Sequence, residues 1–258
     1  MKKFLILVLI FLGFNCQASS YALYNFSDAT LSEATRNTEV RSIASITKLF
    51  TAAIILETQL DLNEKVKVQG LSKGRFPKGK MVSRIELLKA MLIASDNLAA
   101  DSLAHSYPGG YGTFLKDVNF YVEEKNLKNT KIVDASGLLT GNVSTADDLV
   151  NFLWGIRYHQ LIIDISSSVF DTVTYDGKKH PINISIKNTN PDITKYNNIL
   201  ISKTGFTNSA GRCLVMLVSY QGDIYGLAIL GEKNPKTRSK VVTDLMNSIE
   251  VRHERNAV

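Results

Sequence analysis

The sequence predicts an α+β protein, with an antiparallel sheet packed against a helical cluster in a single domain. Three observations predict it. The run from Ser45 to Leu60 is apolar nearly all round, as in a helix enclosed by the rest of a domain. Near the C-terminus, Ile199 to Lys203, Cys213 to Gln221 and Asp223 to Leu230 are strand-like runs rich in Val, Ile, Leu and Tyr, the last two joined by a tight Gln221-Gly222-Asp223 turn. Between these regions Pro and Gly are dispersed, and no linker, repeat or low-complexity tract divides the chain.

Taken in order, residues 1–18 stand apart. Lys2 and Lys3 precede an apolar run from Phe4 to Phe14 that is too short to span a bilayer, and Cys16-Gln17-Ala18 offers small residues for cleavage. This pattern predicts a secretory signal peptide over 1–18, export out of the cytoplasm, and a domain over 19–258. Phe14 and Asn15 are too bulky for a lipidation site at Cys16. After cleavage Cys213 has no disulfide partner and is expected to pack as a small hydrophobe.

Tyr21 to Phe26 reads as a strand, followed by the buried helix from Ser45. Lys73 to Lys80 reads as a solvated loop. Arg84 to Ala94 and Leu98 to His105 read as helices interrupted by Asp96-Asn97, and Tyr111 to Glu124 as another. Thr145 to Trp154 is a helix capped by Ser144 or Thr145, with Asp147 and Asp148 suiting the dipole of its first turn. Gly177-Lys178-Lys179 marks a hairpin turn within Tyr175 to Ile186, and Val241 to Val251 closes the chain as a helix.

The 258 residues carry 30 Lys+Arg against 24 Asp+Glu, a formal charge of +6. The basic residues are scattered instead of forming a phosphate-tracking face, so nucleic acid is not an expected partner. Without residues 1–18 the charge falls to +4. His105, His159, His180 and His253 show no ligand spacing, so neither a metal nor any other cofactor is expected. No later apolar run is long enough to serve as a stable membrane anchor.

Three short motifs carry the chemistry. Ser45 and Lys48 share a helix face, where burial lowers the lysine pKa toward that of a base and the serine can act as nucleophile. Ser95-Asp96-Asn97 falls where one helix pattern breaks, so that a hydroxyl and an amide can turn into one cleft. Lys203-Thr204-Gly205 ends a strand-like run, where a cation beside a hydroxyl suits a carboxylate and the glycine admits a substrate backbone. Each alone is also what a helix cap or a turn looks like. Together, in this order and on these elements, they form the set found in penicillin-binding proteins and serine β-lactamases.

With these motifs the sequence resembles the low-molecular-mass penicillin-binding proteins that act as D-alanyl-D-alanine peptidases (peptidase family S11). Arg41-Ser42-Ile43-Ala44-Ser45, Tyr107-Pro108-Gly109-Gly110-Tyr111, Ser136-Gly137-Leu138, Asn188-Thr189-Asn190 and Lys203 through Gly211 are similar to the endopeptidase branch, of penicillin-binding protein seven type. The resemblance implies a β-lactamase/transpeptidase-like fold. It implies that Ser45 is acylated by a D-alanyl carbonyl with Lys48 as base, and that Ser95 passes the proton to the leaving amine. Asn97 would hold the substrate peptide, Lys203 and Thr204 would bind the carboxylate beside the scissile amide, and the backbone N–H groups of Ser45 and Phe206 would form an oxyanion hole next to Gly205. Peptidoglycan peptides are the implied substrates and β-lactams the implied covalent inhibitors. The sequence departs from many carboxypeptidases of the family in ending soon after the Val241 to Val251 helix, so no C-terminal sheet domain is expected.

Cross-link cleavage is favoured over removal of a terminal D-alanine, which one site could also perform. A class A β-lactamase is the nearest alternative, but it needs a deacylating glutamate between the second and third motifs, and no Glu lies between Lys125 and Gly231. A non-enzymatic penicillin or muropeptide sensor would call for an output domain or membrane segment that the sequence does not offer.

Overall fold

The computed structural model describes residues 19–256, so the proposed signal peptide lies outside the described residues. In chain order the strands are β1 (Ser20–Asn25), β2 (Thr30–Thr35), β3 (Arg41–Ser42), β4 (Lys65–Lys67), β5 (Met81–Ser83), β6 (Val143–Ser144), β7 (Phe170–Asp176), β8 (Pro181–Lys187), β9 (Ile199–Thr207), β10 (Gly211–Tyr220) and β11 (Asp223–Glu232). The helices are α1 (Thr47–Glu57), α2 (Arg84–Ile93), α3 (Asn97–His105), α4 (Gly110–Glu124), α5 (Ala146–Ile156), α6 (Gln160–Ser166) and α7 (Pro235–Asn256). Among the described residues, no helix is long and apolar enough to cross a membrane.

The main sheet is antiparallel, in the order β2-β1-β11-β10-β9. Its central strands are apolar on both faces because both are covered. Cys213, Val215 and Leu217 of β10 face the core shared with α1, α2 and α5, whereas Leu214, Met216 and Val218 face Val242, Leu245, Met246 and Ile249 of α7. The period of two along the strand sorts these residues between two cores. Gln221 and Gly222, both at positive φ, make the tight β10–β11 turn.

The central helix differs in its start. Ser45 lies in a 3-10 turn (Ala44–Ile46), and α1 begins only at Thr47. The cause is Ala44, held at φ +46, which swings the chain sharply before the helix, while Thr47 Oγ1 donates to the Ala44 carbonyl at 2.8 Å. All residues of α1 from Thr47 to Ile55 are buried, and the helix ends at Glu57, before Leu60. Further along, α7 is twice the expected length. Pro235 opens it, and Asn234 Oδ1 accepts from the Thr237 N–H at 3.0 Å, a polar start that apolar periodicity does not reveal.

Candidate active site

The Ser45 turn, the α2–α3 junction and β9 converge. Lys48 is the second residue of α1, one turn beyond Ser45, and has no exposed surface. Its Nζ lies 2.9 Å from Ser45 Oγ and 2.6 Å from Asn97 Oδ1, and also contacts the Ser136 carbonyl oxygen. Burial pushes this lysine down to about 7, against the opposing pull of Asp134, Asp96 and Asp101. In its neutral form the amine can give its two hydrogens to Asn97 Oδ1 and the Ser136 carbonyl, which only accept, and so turn its lone pair to the Ser45 hydroxyl.

Ser95 occupies the bend between α2 and α3 at φ +56, a costly conformation for a residue with a side chain. Asp96 secures it. As N-cap of α3 it accepts from Ala99 N at 2.9 Å, and its other oxygen accepts from Arg75 N at 2.6 Å. The capping explanation of Ser95-Asp96-Asn97 thus holds for its middle residue alone. Its two neighbours turn to the cleft, Asn97 onto Lys48 and Ser95 onto Lys203, whose Nζ donates to Ser95 Oγ at 2.9 Å.

Lys203, Thr204 and Gly205 lie within β9 and not at its end, paired with Val215, Leu214 and Cys213 of β10. Lys203 is 1% exposed, and burial, then the charge of Lys48, holds it well below its ordinary value. The missing Cβ of Gly205 allows β9 to lie against the Ser45 turn. Phe206 follows, its ring turned outward beneath the Arg212 guanidinium 3.7 Å away. Ser45, Lys48, Ser95, Asn97, Lys203 and Gly205 are thus drawn together by direct contacts, with Thr204 and Phe206 flanking Gly205 along β9.

Three side chains escaped the sequence reading. Thr189 Oγ1 lies 2.6 Å from Thr204 Oγ1, on a segment fixed by Thr189 N donating to the Ile93 carbonyl at 3.1 Å. Asn190 Nδ2 holds Ser202 Oγ beneath β9 at 2.8 Å. Asp134 accepts from the backbone N–H groups of Ser136, Gly137 and Leu139 and from Asn142 Nδ2, which aims the Ser136 carbonyl at Lys48. Burial alone would raise the Asp134 pKa, but these hydrogen bonds outweigh it and hold the carboxyl below 3.8. The signal for the three in the sequence is confined to Ser136-Gly137-Leu138 and Asn188-Thr189-Asn190, which carry resemblance without a role.

Comparison with known proteins identifies the family. The family model described as D-alanyl-D-alanine carboxypeptidase, peptidase S11, matches residues 15–234. The chain is 40% identical over 185 residues to a D-alanyl-D-alanine endopeptidase of Escherichia coli K12, covering 69% of this chain and 59% of that protein. It is 37% identical over 217 residues to a Pseudomonas aeruginosa protein of the same name, covering 81% and 69%. The fold is similar to that of the Streptomyces K15 DD-transpeptidase, with a TM-score of 0.83 at 23% identity over 88% of this chain and 95% of that one. It is also similar to penicillin-binding protein D2 of Listeria monocytogenes in its ampicillin-bound form, with a TM-score of 0.77 at 26% identity over 89% and 95%. On the family match and these identities, the chain belongs to the D-alanyl-D-alanine carboxypeptidase family, peptidase S11.

Proposed function

We propose that the protein is a serine D,D-peptidase that cleaves D-alanyl bonds in peptidoglycan peptides, with cross-links preferred over free termini. The observation that carries this reading is Lys48 Nζ at 2.9 Å from Ser45 Oγ, fully buried and lowered to about 7. Lys48 takes the Ser45 proton as Oγ attacks the D-alanyl carbonyl, and the negative charge that develops on the carbonyl oxygen faces the backbone N–H groups of Ser45 and Phe206. Ser95 then relays the proton held by Lys48 to the leaving amine, giving up its own hydroxyl proton as it receives that one, and the carboxylate beside the amine rests on Lys203 and Thr204. Water attacks the resulting ester, giving up a proton as Ser45 Oγ regains one, and releases the D-alanyl acid.

Lys203 supports this division of labour. Buried and beside Lys48, it is reluctant to hold a charge until an anion arrives, so carboxylate binding and full charging of Lys203 assist each other. The endopeptidase preference is supported by the names of the Escherichia coli, Pseudomonas aeruginosa and Haemophilus influenzae relatives, at 40%, 37% and 31% identity. A Bacillus subtilis carboxypeptidase, at 27%, favours the second activity. The ampicillin-bound Listeria protein supports β-lactams as covalent inhibitors here. With no Glu between Lys125 and Gly231, the penicilloyl ester is expected to be long-lived. Residues 1–18 are proposed as the signal peptide that exports the 19–258 domain to the periplasm.

Purified protein incubated with dimeric and pentapeptide muropeptides tests the reading by mass. Monomers released from dimers, together with Ser45 labelled by a fluorescent penicillin, are the expected result. Loss of terminal D-alanine with dimers untouched would overturn the endopeptidase preference. Rapid turnover of penicillin would overturn the peptidase assignment.

A further inference from the structure

Thr51 lies three residues beyond Lys48, as Lys48 lies three beyond Ser45, so the three side chains follow one face of the entry to α1. Thr51 is wholly buried, and two carbonyl oxygens stand near its hydroxyl. A threonine inside a helix commonly returns its hydroxyl to the carbonyl four residues back, but here that oxygen, on Thr47, is 3.5 Å away. The short bond leaves the helix and goes to the Ala135 carbonyl at 2.7 Å. Ala135 immediately precedes Ser136, whose carbonyl contacts Lys48 Nζ. Successive carbonyls of one loop are thus held by residues one turn apart on one helix. From the other side, the Ala135 N–H donates to Tyr111 Oη of α4 at 3.1 Å. Among the described residues, Lys48, Thr51 and Tyr111 make the hydrogen bonds that join the loop 134–139 to the helices.

We propose that Thr51 is a positioning residue for the acylation of Ser45, setting where the Ser136 carbonyl stands relative to Lys48, with Tyr111 bracing the same peptide. The inference rests on the D,D-peptidase reading, in which Lys48 is the base. In its neutral form Lys48 turns its lone pair to Ser45 only while Asn97 Oδ1 and the Ser136 carbonyl take its two hydrogens. Asn97 is fixed as the first residue of α3. The Ser136 carbonyl belongs to an irregular loop, and Asp134 ties that loop to itself and to Asn142 but not to α1. Thr51 supplies the missing tie from the helix that carries Lys48, so that the amine and its acceptor keep one arrangement. Without the hydroxyl the carbonyl retreats, the amine loses its orientation, and its protonated form loses an acceptor. The lost orientation slows acylation, and the lost acceptor lowers the Lys48 pKa. The carboxylates of Asp134, Asp96 and Asp101 and the amine of Lys203, which also act on Lys48, are left in place.

Thr51→Val removes the hydroxyl and keeps the shape. Its rate of Ser45 acylation by a fluorescent penicillin, followed across neutral pH, is expected to show a plateau lowered about ten-fold or more and a rising limb moved to lower pH. Thr51→Ser is expected to restore the limb and to bring the plateau within about two-fold of wild type. Thr58→Val controls for stability alone, because it removes a like bond, from Thr58 Oγ1 to the Ile55 carbonyl at 2.7 Å, at the far end of α1. It is expected to lower the melting temperature while plateau and limb stay as in wild type. A Thr51→Val profile that matches wild type, a lowered plateau with an unmoved limb, or a loss that Thr51→Ser does not restore gives Thr51 a purely structural part and overturns the inference. Should Thr51→Val not fold, Tyr111→Phe, which frees the Ala135 N–H from the other side, carries the same expectation and the same refutation. Absence of penicillin labelling in the wild type overturns the peptidase reading itself, and the positioning role falls with it.

Discussion

Gly205 lies directly against the backbone of Ser45: a Cβ at position 205 would stand 3.1 Å from Ser45 N and 2.8 Å from the Ile43 carbonyl oxygen. Any side chain there must push β9 away from the nucleophile turn by a few tenths of an ångström. Gly205→Ala is therefore expected to slow acylation of Ser45 by penicillin roughly 10- to 100-fold, since small displacements of reacting groups cost rates of that order. β9 remains paired with β10, so the melting temperature should fall far less than in a core deletion. Stopped-flow labelling alongside a thermal melt checks both, and wild-type acylation would show that the close approach is not needed.

The pH dependence of acylation follows from Lys48. Its pKa falls from 10.5 to about 7 on burial, so the neutral base accumulates as pH rises through about 7 and kcat/KM should rise with it. Lys48→Arg, which stays charged, should lose at least roughly 10³-fold at every pH. The same shift bears on stability. Between about 7 and 10.5 the unfolded chain holds the Lys48 proton that the folded chain has released, so this residue makes stability increase with pH across that window. A pH–rate profile flat from 5.5 to 8.5 would remove Lys48 as the base.

What the sequence reveals of this site is what local pattern can encode. The Ser45–Lys48 spacing, the break at Ser95-Asp96-Asn97 and the β10–β11 turn are consequences of short-range geometry, and they stand where expected. The rest depends on partners distant in sequence. β2, with only Leu31 and Ala34 apolar, is a strand because β1 supplies its hydrogen bonds, and its composition does not announce it. β9 continues through Lys203-Thr204-Gly205 to Thr207 because β10 pairs with it to the end and the Ser45 turn covers its glycine, whereas a polar residue pair before glycine reads as a strand terminus. The Ser136 carbonyl that Asp134 aims meets Lys48, 88 positions away, and Thr189 meets Thr204, 15 positions away, across contacts that exist only after folding.

Thr189 gives a test of the carboxylate site. Its hydroxyl, 2.6 Å from that of Thr204, fixes the rotation of the group proposed to meet the substrate carboxylate. Thr189→Val keeps the shape and removes the hydrogen bond, a change of about 1 kcal/mol, or roughly five-fold. It should appear in KM for carboxylate-bearing peptides with kcat nearly unchanged, and Thr189→Ser should restore it. An effect on kcat alone, or none with Thr189→Val, would place Thr204 under other control.

Asp134 couples the stability of the fold to the basicity of Lys48. Its carboxylate receives the N–H groups of Ser136, Gly137 and Leu139 at 2.7, 2.5 and 2.7 Å, with Asn142 Nδ2 at 2.9 Å. Gly137 is at φ +83, and a Cβ there would collide with the Ala44 carbonyl, so the loop can meet the nucleophile turn in one arrangement only. Asp134→Ala strands several buried donors, each worth about 1–3 kcal/mol, and partial access to water should leave a net loss of about 3 kcal/mol in urea unfolding. The wild-type carboxyl is held below 3.8, so its contribution is complete above that pH and disappears as pH falls through the folded value. The variant should therefore lose part of the wild-type sensitivity to acid. Released from Asp134, the Ser136 carbonyl no longer fixes one amine hydrogen of Lys48, and the loss of a nearby negative charge moves the lysine pKa further down. Asp134→Ala should thus shift the rising limb of the pH–rate profile to lower pH while lowering its plateau. A purely structural role would lower the plateau and leave the limb in place.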